Sequence, residues 1–170
     1  SFEPCGICKS CASIREDRNM DVIELDAASK TGVDDIREII ENVKYKPVSC
    51  KYKIFIIDEV HMLSKNAFNA LLKTLEEPPP HIKFIFATTE VKKIPITIIS
   101  RCQRFDLHRI DISILTSHLH SIAKDENVKI STDAMALIVR SADGSVRDGL
   151  SLLDQAIANE SNEISSDTII

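Results

Sequence analysis

Two rhythms of apolar residues divide the chain. In its first two-thirds, short apolar runs bounded by polar turns alternate with longer stretches in which apolar residues recur every third or fourth position. Val22-Ile23-Glu24-Leu25 is short and β-branched and predicts a strand. After a Ser-Lys-Thr-Gly turn, Val33, Ile36, Ile39, Ile40 and Val43 follow a helical repeat that Pro47 stops. Lys53-Ile54-Phe55-Ile56-Ile57-Asp58-Glu59 has continuous apolar character, which suits a strand of a parallel sheet buried on both faces. Ala67, Ala70, Leu71, Thr74 and Leu75 mark a second amphipathic helix, ended by Pro78-Pro79-Pro80. Phe84-Ile85-Phe86-Ala87 reads as another doubly buried strand and Arg104-Phe105-Asp106-Leu107 as a fourth. Strands alternating with helices predict a doubly wound α/β sheet.

From Asp111 the rhythm is helical only. Ile112, Leu115, Leu119 and Ile122 form one stripe. Ala134, Leu137 and Ile138 form a second, and Val146, Leu150, Leu153 and Ile157 a third. Ser145-Val146-Arg147-Asp148 has the Ser and the acid three positions on that open a helix. The boundary between the α/β part and the helical part is therefore placed near Ile110.

Composition narrows the class. The 170 residues carry 21 Lys+Arg against 26 Asp+Glu, a net charge of −5, so a globally basic nucleic-acid binder is excluded and only a local cationic patch remains open. The longest unbroken apolar runs fall far short of the roughly 20 residues a membrane span needs. No basic stretch followed by an apolar run opens the chain, so nothing there reads as a secretion signal, and a reducing, cytoplasmic setting is expected. The chain starts at Ser1 without Met and ends at Ser165-Ser166-Asp167-Thr168-Ile169-Ile170, which reads as the start of a helix, so both ends are expected to be cut.

Asp58-Glu59 is the first chemical signal. Two carboxylates just past a buried strand stand at the carboxyl edge, where α/β sheets bind ligands. The arrangement matches a Walker B pair, with the Asp helping to hold Mg2+ and the Glu orienting the attacking water. The competing reading is of acids that follow a strand because loops are wet. The companion Gly-rich phosphate loop is absent: Gly6, Gly32, Gly144 and Gly149 stand in no such pattern. Thr88 and Thr89 end the next strand, where a hydroxyl either senses a phosphate or caps a turn. Arg101, in Ser100-Arg101-Cys102, is either a charge-neutralising arginine for a neighbouring subunit's phosphate or a surface ion pair. Arg147 sits in the first turn of a helix, where acids are preferred, and a residue placed against local preference is a candidate for function. Cys5, Cys8 and Cys11 offer three thiols at zinc-knuckle spacing, one short of a tetrahedral set. Cys50 and Cys102 read as structural, and His61 as a ligand or, more simply, a packing or capping residue.

Taken together these segments resemble the gamma/tau subunit family of bacterial DNA polymerase III, the AAA+ ATPase motor of the sliding-clamp loader. The resemblance rests on the cysteine module, Leu25-Asp26-Ala27-Ala28-Ser29, Gly32-Val33-Asp34-Asp35-Ile36-Arg37 and Asp58-Glu59-Val60-His61-Met62-Leu63-Ser64. It continues through Asn69–Pro78, Ala87-Thr88-Thr89-Glu90, Ser100-Arg101-Cys102 and Gly144-Ser145-Val146-Arg147-Asp148, in the family's order over about the whole chain.

The resemblance implies an AAA+ type P-loop fold. Residues 1–110 would be an incomplete nucleotide-binding α/β domain, with 1–11 the remainder of an inserted zinc module, and 111–170 a small three-helix lid. It implies Asp58 and Glu59 as the Walker B pair, Asp58 on magnesium, Thr89 as sensor 1, Arg101 as arginine finger and Arg147 as sensor 2. Cys5, Cys8 and Cys11 match three zinc ligands; the fourth, roughly nine residues earlier, and the Walker A loop would both precede Ser1. The implied cofactors are ATP, Mg2+ and Zn2+. The implied partners are the delta and delta-prime subunits, further gamma/tau copies, the sliding clamp and primer–template DNA held without regard to sequence. Lys30, Thr31 and Arg37 are candidates for the DNA surface, or a solvated charged face. Two alternatives are weighed. A non-hydrolysing delta-prime-like subunit shares the zinc module and the Ser-Arg-Cys motif, yet has no use for intact Asp58-Glu59 and Arg147. A helicase reading of Asp58-Glu59-Val60-His61 does not fit the order of the other motifs.

Overall fold

The computed structural model describes residues 3–29, 33–159 and 163–164. They divide into two compact units, Ser1–Arg104 and Phe105–Ile170. Lys30, Thr31, Gly32 and the expected helix start at 165–170 lie outside the described residues.

In the first unit, a short helix α1 (Lys9–Arg15) precedes strand β1 (Val22–Asp26), helix α2 (Val33–Val43) and strand β2 (Lys53–Asp58). Helix α3 (Lys65–Glu76), strand β3 (Ile82–Phe86) and the single-turn helix α4 (Ile96–Ile99) complete it. The sheet is parallel, in the order β1-β2-β3, with Asp26 beside Asp58 and Ile57 beside Phe86. β2 is thus the middle strand, and its carboxyl end delivers Asp58 to the centre of the sheet's edge. One core holds the layers together: Phe55 and Ile57 of β2 and Ile82 of β3 pack with Ile36, Ile39 and Val43 of α2 and Ala67, Phe68 and Leu71 of α3. Each fully buried large side chain of this set contributes about 1.5–3 kcal/mol relative to exposure. Ser64 caps α3, its side-chain oxygen accepting from the Ala67 amide.

Two expectations for this unit are corrected. The strand predicted over Phe84–Ala87 runs instead over Ile82–Phe86, and it is not buried on both faces: Lys83 is exposed and Ile85 is 51% exposed. Continuous apolar sequence could not reveal that, among the described residues, one face of β3 is left uncovered. Arg104–Leu107 forms no strand among the described residues; Phe105 and Leu107 are largely exposed there. An apolar alternation becomes a strand only beside a partner ladder, and β1-β2-β3 extends no ladder to it.

The second unit contains α5 (Ile112–Asp125), β4 (Lys129–Ile130), α6 (Thr132–Ala142), α7 (Val146–Asn159) and β5 (Glu163–Ile164). Leu115, Leu119, Met135, Ile138, Val139, Leu153 and Ile164 form its core. Leu137 faces outward more than its stripe suggests, because the buried face of α6 runs through Ala134, Met135, Ile138, Val139 and Ala142, and Ile112 is exposed at the first position of α5, whose buried face is Leu115, Leu119 and Ala123. β4 and β5 pair in parallel and are too short to be legible in the sequence. Two glycines are required by geometry. Gly144 has φ +76°, and a Cβ on it would lie 2.8 Å from Arg109 Cβ and 2.9 Å from the Ile110 carbonyl oxygen. Gly149, buried in α7, would place a Cβ 3.2 Å from Leu119 Cδ1, so its bareness lets α5 and α7 approach. Among the described residues no helix is long and apolar enough to cross a membrane.

Candidate functional site

At the end of β2 the chain changes direction abruptly. Asp58 is exposed, and its Oδ1 accepts the Glu59 amide at 2.9 Å. Glu59 then takes a left-handed conformation (φ 46°, ψ 43°), an arrangement that costs a non-glycine residue about 1 kcal/mol or more. A 3₁₀ turn, Val60–Met62, follows, and Val60 is tied to β3 by its amide donating to the Ala87 carbonyl at 3.0 Å. The strained turn swings the Glu59 side chain toward the loop after β3. There its Oε2 accepts from the Thr89 amide at 3.3 Å and the Thr89 hydroxyl at 3.2 Å.

His61, on the 3₁₀ turn, completes this cluster. Its side chain is only 6% exposed, with Nδ1 3.1 Å from Glu59 Oε2 and 2.9 Å from Thr88 Oγ1, and Nε2 3.5 Å from Glu90 Oε1. Thr88 Oγ1 also accepts the Glu90 amide at 3.0 Å. Glu90 in turn pairs with Lys93 at 2.6 Å, and that ammonium holds its carboxyl below the ordinary range. The sequence assigns His61 to packing or capping; its place between two carboxylates depends on a 3₁₀ turn and on contacts some thirty residues away, which periodicity does not report.

Asp58, Glu59 and Thr89 are therefore brought together, and Asp26, whose Oδ1 accepts the Ala28 amide at 2.7 Å, adds a further carboxylate beside Asp58. An exposed Asp at the carboxyl edge, beside a second carboxylate, offers the oxygen ligands that a magnesium ion takes, so the residues present fit that ion. Arg101 is not part of this cluster. Its Nη2 pairs with Glu76 Oε1 at 2.6 Å and its Nη1 donates to the Thr97 carbonyl at 2.7 Å. Glu76 ends α3, whereas Asp58 precedes that helix's start in the chain; the helix's 12 residues span about 18 Å at 1.5 Å per residue. Arg147 belongs to the second unit and is exposed in the first turn of α7, where the Ser145 hydroxyl accepts the Asp148 amide at 3.2 Å. Arg37 is exposed on α2.

The cysteines form a separate centre. The Sγ atoms of Cys5, Cys8 and Cys11 lie within 4.8 Å of one another, and those of Cys5 and Cys11 are 3.8 Å apart. A tetrahedral zinc with bonds of ~2.3 Å separates its sulfurs by ~3.8 Å. Gly6 at φ +71° turns the loop, so that the Cys8 amide donates to Cys5 Sγ and the Cys11 amide to Cys8 Sγ, both at 3.4 Å. The Cys8 amide foremost, then the Ile7 amide and the thiols of Cys8 and Cys11, bring the Cys5 thiol down to about 7, which favours the thiolate a metal binds. The three residues fit zinc. Cys50 lies elsewhere, its Sγ 3.7 Å from Asn19 Nδ2.

Comparisons with known proteins agree with this architecture. Residues 1–111 match the family described as DNA polymerase III, delta subunit, and residues 114–162 match the DNA polymerase III clamp loader subunit, ATPase lid domain. The chain is 48% identical over 166 residues to DNA polymerase III subunit tau of Salmonella typhimurium, covering 98% of this chain and 26% of that protein. It is 54% identical over 156 residues to subunit tau of Bacillus subtilis, covering 92% and 28%. The chain thus spans about a quarter of the length of these curated relatives. Among solved structures, the RuvB Holliday junction branch migration motor of Thermotoga maritima matches with a TM-score of 0.70 at 17% identity, over 94% of this chain and 53% of that one. A DNA polymerase III gamma subunit-related protein of the same organism matches with a TM-score of 0.54 at 21% identity, over 98% and 62%. The parallel sheet followed by a helical lid is the AAA+ P-loop ATPase fold. The chain belongs to the clamp-loader subunit family of DNA polymerase III, on its gamma/tau branch.

Proposed function

We propose that this chain is the catalytic part of a clamp-loader ATPase subunit, in which ATP binding and hydrolysis drive loading of a sliding clamp onto primed DNA. The observation that carries the reading is the Glu59 carboxylate, strained into place beside Asp58 at the carboxyl edge and held by Thr89. A purely structural acid would gain nothing from a backbone conformation that costs stability.

In this reading Asp58 helps hold magnesium, which supplies neutralisation of phosphate charge when bound. Glu59 orients the attacking water, and Thr89 keeps its carboxylate aimed. Arg101, whose guanidinium meets Glu76 and the Thr97 carbonyl rather than the Asp58–Glu59 cluster, is suited to reach a phosphate held by a neighbouring subunit. Arg147 on the lid takes the sensor 2 role. Cys5, Cys8 and Cys11 hold structural zinc together with a fourth ligand from elsewhere. Partners follow from the family: delta and delta-prime subunits, further gamma/tau copies, the clamp and primer–template DNA, gripped through phosphates. The non-hydrolysing delta-prime alternative leaves the Asp58–Glu59–Thr89 arrangement without a task.

The test is steady-state ATP turnover of the full-length parent, assembled with its clamp and partner subunits, with and without primed DNA. Turnover should rise with DNA, and Glu59→Gln should remove it by a factor of about a hundred or more while ATP still binds. Unchanged turnover in that variant would overturn the Walker B assignment.

A further inference from the structure

Three contacts converge on one oxygen of Glu59. Oε2 receives the Thr89 amide, the Thr89 hydroxyl and the Nδ1 edge of His61, while Oε1 receives none of them. Two come from the loop after β3 and the third from the 3₁₀ turn on β2's own continuation, so the carboxylate is gripped from both sides. A carboxylate held only by Thr89 would still rotate about the remaining side-chain torsions. A third polar contact from a different element restricts that freedom and leaves Oε1 as the face presented to water.

The geometry around His61 favours a directed role over simple packing. Its ring is almost fully buried, yet both nitrogens face polar groups: Nδ1 meets Glu59 and Thr88, and Nε2 meets Glu90. Nδ1 has a single hydrogen-bonding position, and its partner is Thr88 Oγ1 at 2.9 Å, with Glu59 Oε2 alongside at 3.1 Å. Resting on the hydrolytic reading above, we propose that His61 is a positioning residue for hydrolysis, its Nδ1 edge anchored on Thr88 Oγ1 and set against Glu59 Oε2, so fixing the direction in which Oε1 addresses water. Thr88 and Glu90 hold the imidazole in the plane that this requires. His61 touches no reacting atom; it acts through Glu59.

The two near-isosteric amides separate the ring's nitrogens. Asn at 61 places an N–H donor close to Nδ1, whereas Gln places one close to Nε2. In the full-length parent with its partner subunits, His61→Ala and His61→Gln should lower kcat about tenfold to a hundredfold, the loss expected when one polar contact to a charged group is removed. ATP affinity, read by equilibrium binding without turnover, should stay within about twofold, since Glu59 aims water more than it holds nucleotide. His61→Asn should recover most of kcat. In a Glu59→Gln background, His61→Ala should cause no further loss, as expected of two residues acting on one element. Should wild-type parent turn over ATP and Glu59→Gln abolish it while His61→Ala or His61→Gln leaves kcat unchanged, the positioning role is wrong and the hydrolytic reading stands. If all three variants, His61→Asn included, lose kcat and ATP binding alike, His61 is a packing residue only. Absence of turnover in the wild type would instead remove the hydrolytic reading itself.

Discussion

Asp21→Asn is expected to destabilise the first unit by about 2–4 kcal/mol, although Asp21 lies at the opposite end of β1 from the candidate site. Asp21 is fully buried just ahead of β1. Its Oδ1 accepts the Val48 amide at 2.7 Å, and its Oδ2 accepts the Ser49 amide at 2.7 Å, the Cys50 amide at 2.7 Å and the Ser49 hydroxyl at 3.0 Å. This one side chain therefore shapes the loop that delivers β2. Burial by itself would push the carboxyl up, but the three amides and the hydroxyl outweigh it and hold the group down to about 2. The drop from 3.8 corresponds to about 2 kcal/mol of folding stability. Asparagine keeps one oxygen and turns an NH2 group toward at least one of these partly buried amides, adding about 1 kcal/mol for the donor left unmatched. The folded value lies below the unfolded one. The contribution is therefore complete above pH 4, about half lost at pH 3, and gone once the pH has fallen through about 2. Urea unfolding followed by far-UV circular dichroism at pH 7 and pH 3 measures both effects, and hydrogen exchange at the Val48, Ser49 and Cys50 amides localises them. The reasoning is refuted if Asp21→Asn costs less than about 0.5 kcal/mol at pH 7, or if both proteins lose the same stability between the two pH values.

Arg101→Ala should leave ATP binding in its own subunit unchanged yet suppress hydrolysis at the adjoining site, by about a thousandfold if it is the finger; normal turnover in mixed assemblies would remove that role. Gly144→Ala should cost the lid about 2 kcal/mol or more, since it adds a left-handed penalty to contacts under 3.0 Å with Arg109 and Ile110, and thermal unfolding reports it. Cys8→Ser should lower zinc content in the full-length parent, measured by elemental analysis, and chelators should destabilise the wild-type cysteine module but not the variant. A stoichiometric zinc content in the variant would count against the knuckle.

Much of the architecture is written in local pattern. The runs around Ile54–Ile57 and Phe84–Phe86 announce strands because apolar β-branched and aromatic residues cluster there, and the stripes of α2, α3, α5 and α7 announce helices. Asp58-Glu59 is legible because position after a buried strand is itself a chemical cue. What escapes the sequence depends on distance or on short turns. Helix α1 and the two-residue strands β4 and β5 are below the length at which periodicity speaks. The Arg104–Leu107 strand fails because alternation says nothing about whether a neighbour exists. His61's contacts with Glu59 and Glu90, Arg101's with Glu76 and Asp21's with 48–50 all join segments that only the folded chain juxtaposes. Asp21 in particular looks like any loop acid in Asn19-Met20-Asp21-Val22.

The left-handed backbone at Glu59 sets robustness against turnover at a single residue. Glycine or asparagine would sit there at ease, so a search for heat-tolerant variants would be drawn to that codon. On the proposed hydrolytic reading each such gain would silence ATP turnover, because neither side chain carries a carboxylate to the place where water is to be aimed. In that proposed role, it is catalysis that keeps this turn less comfortable than folding alone would choose.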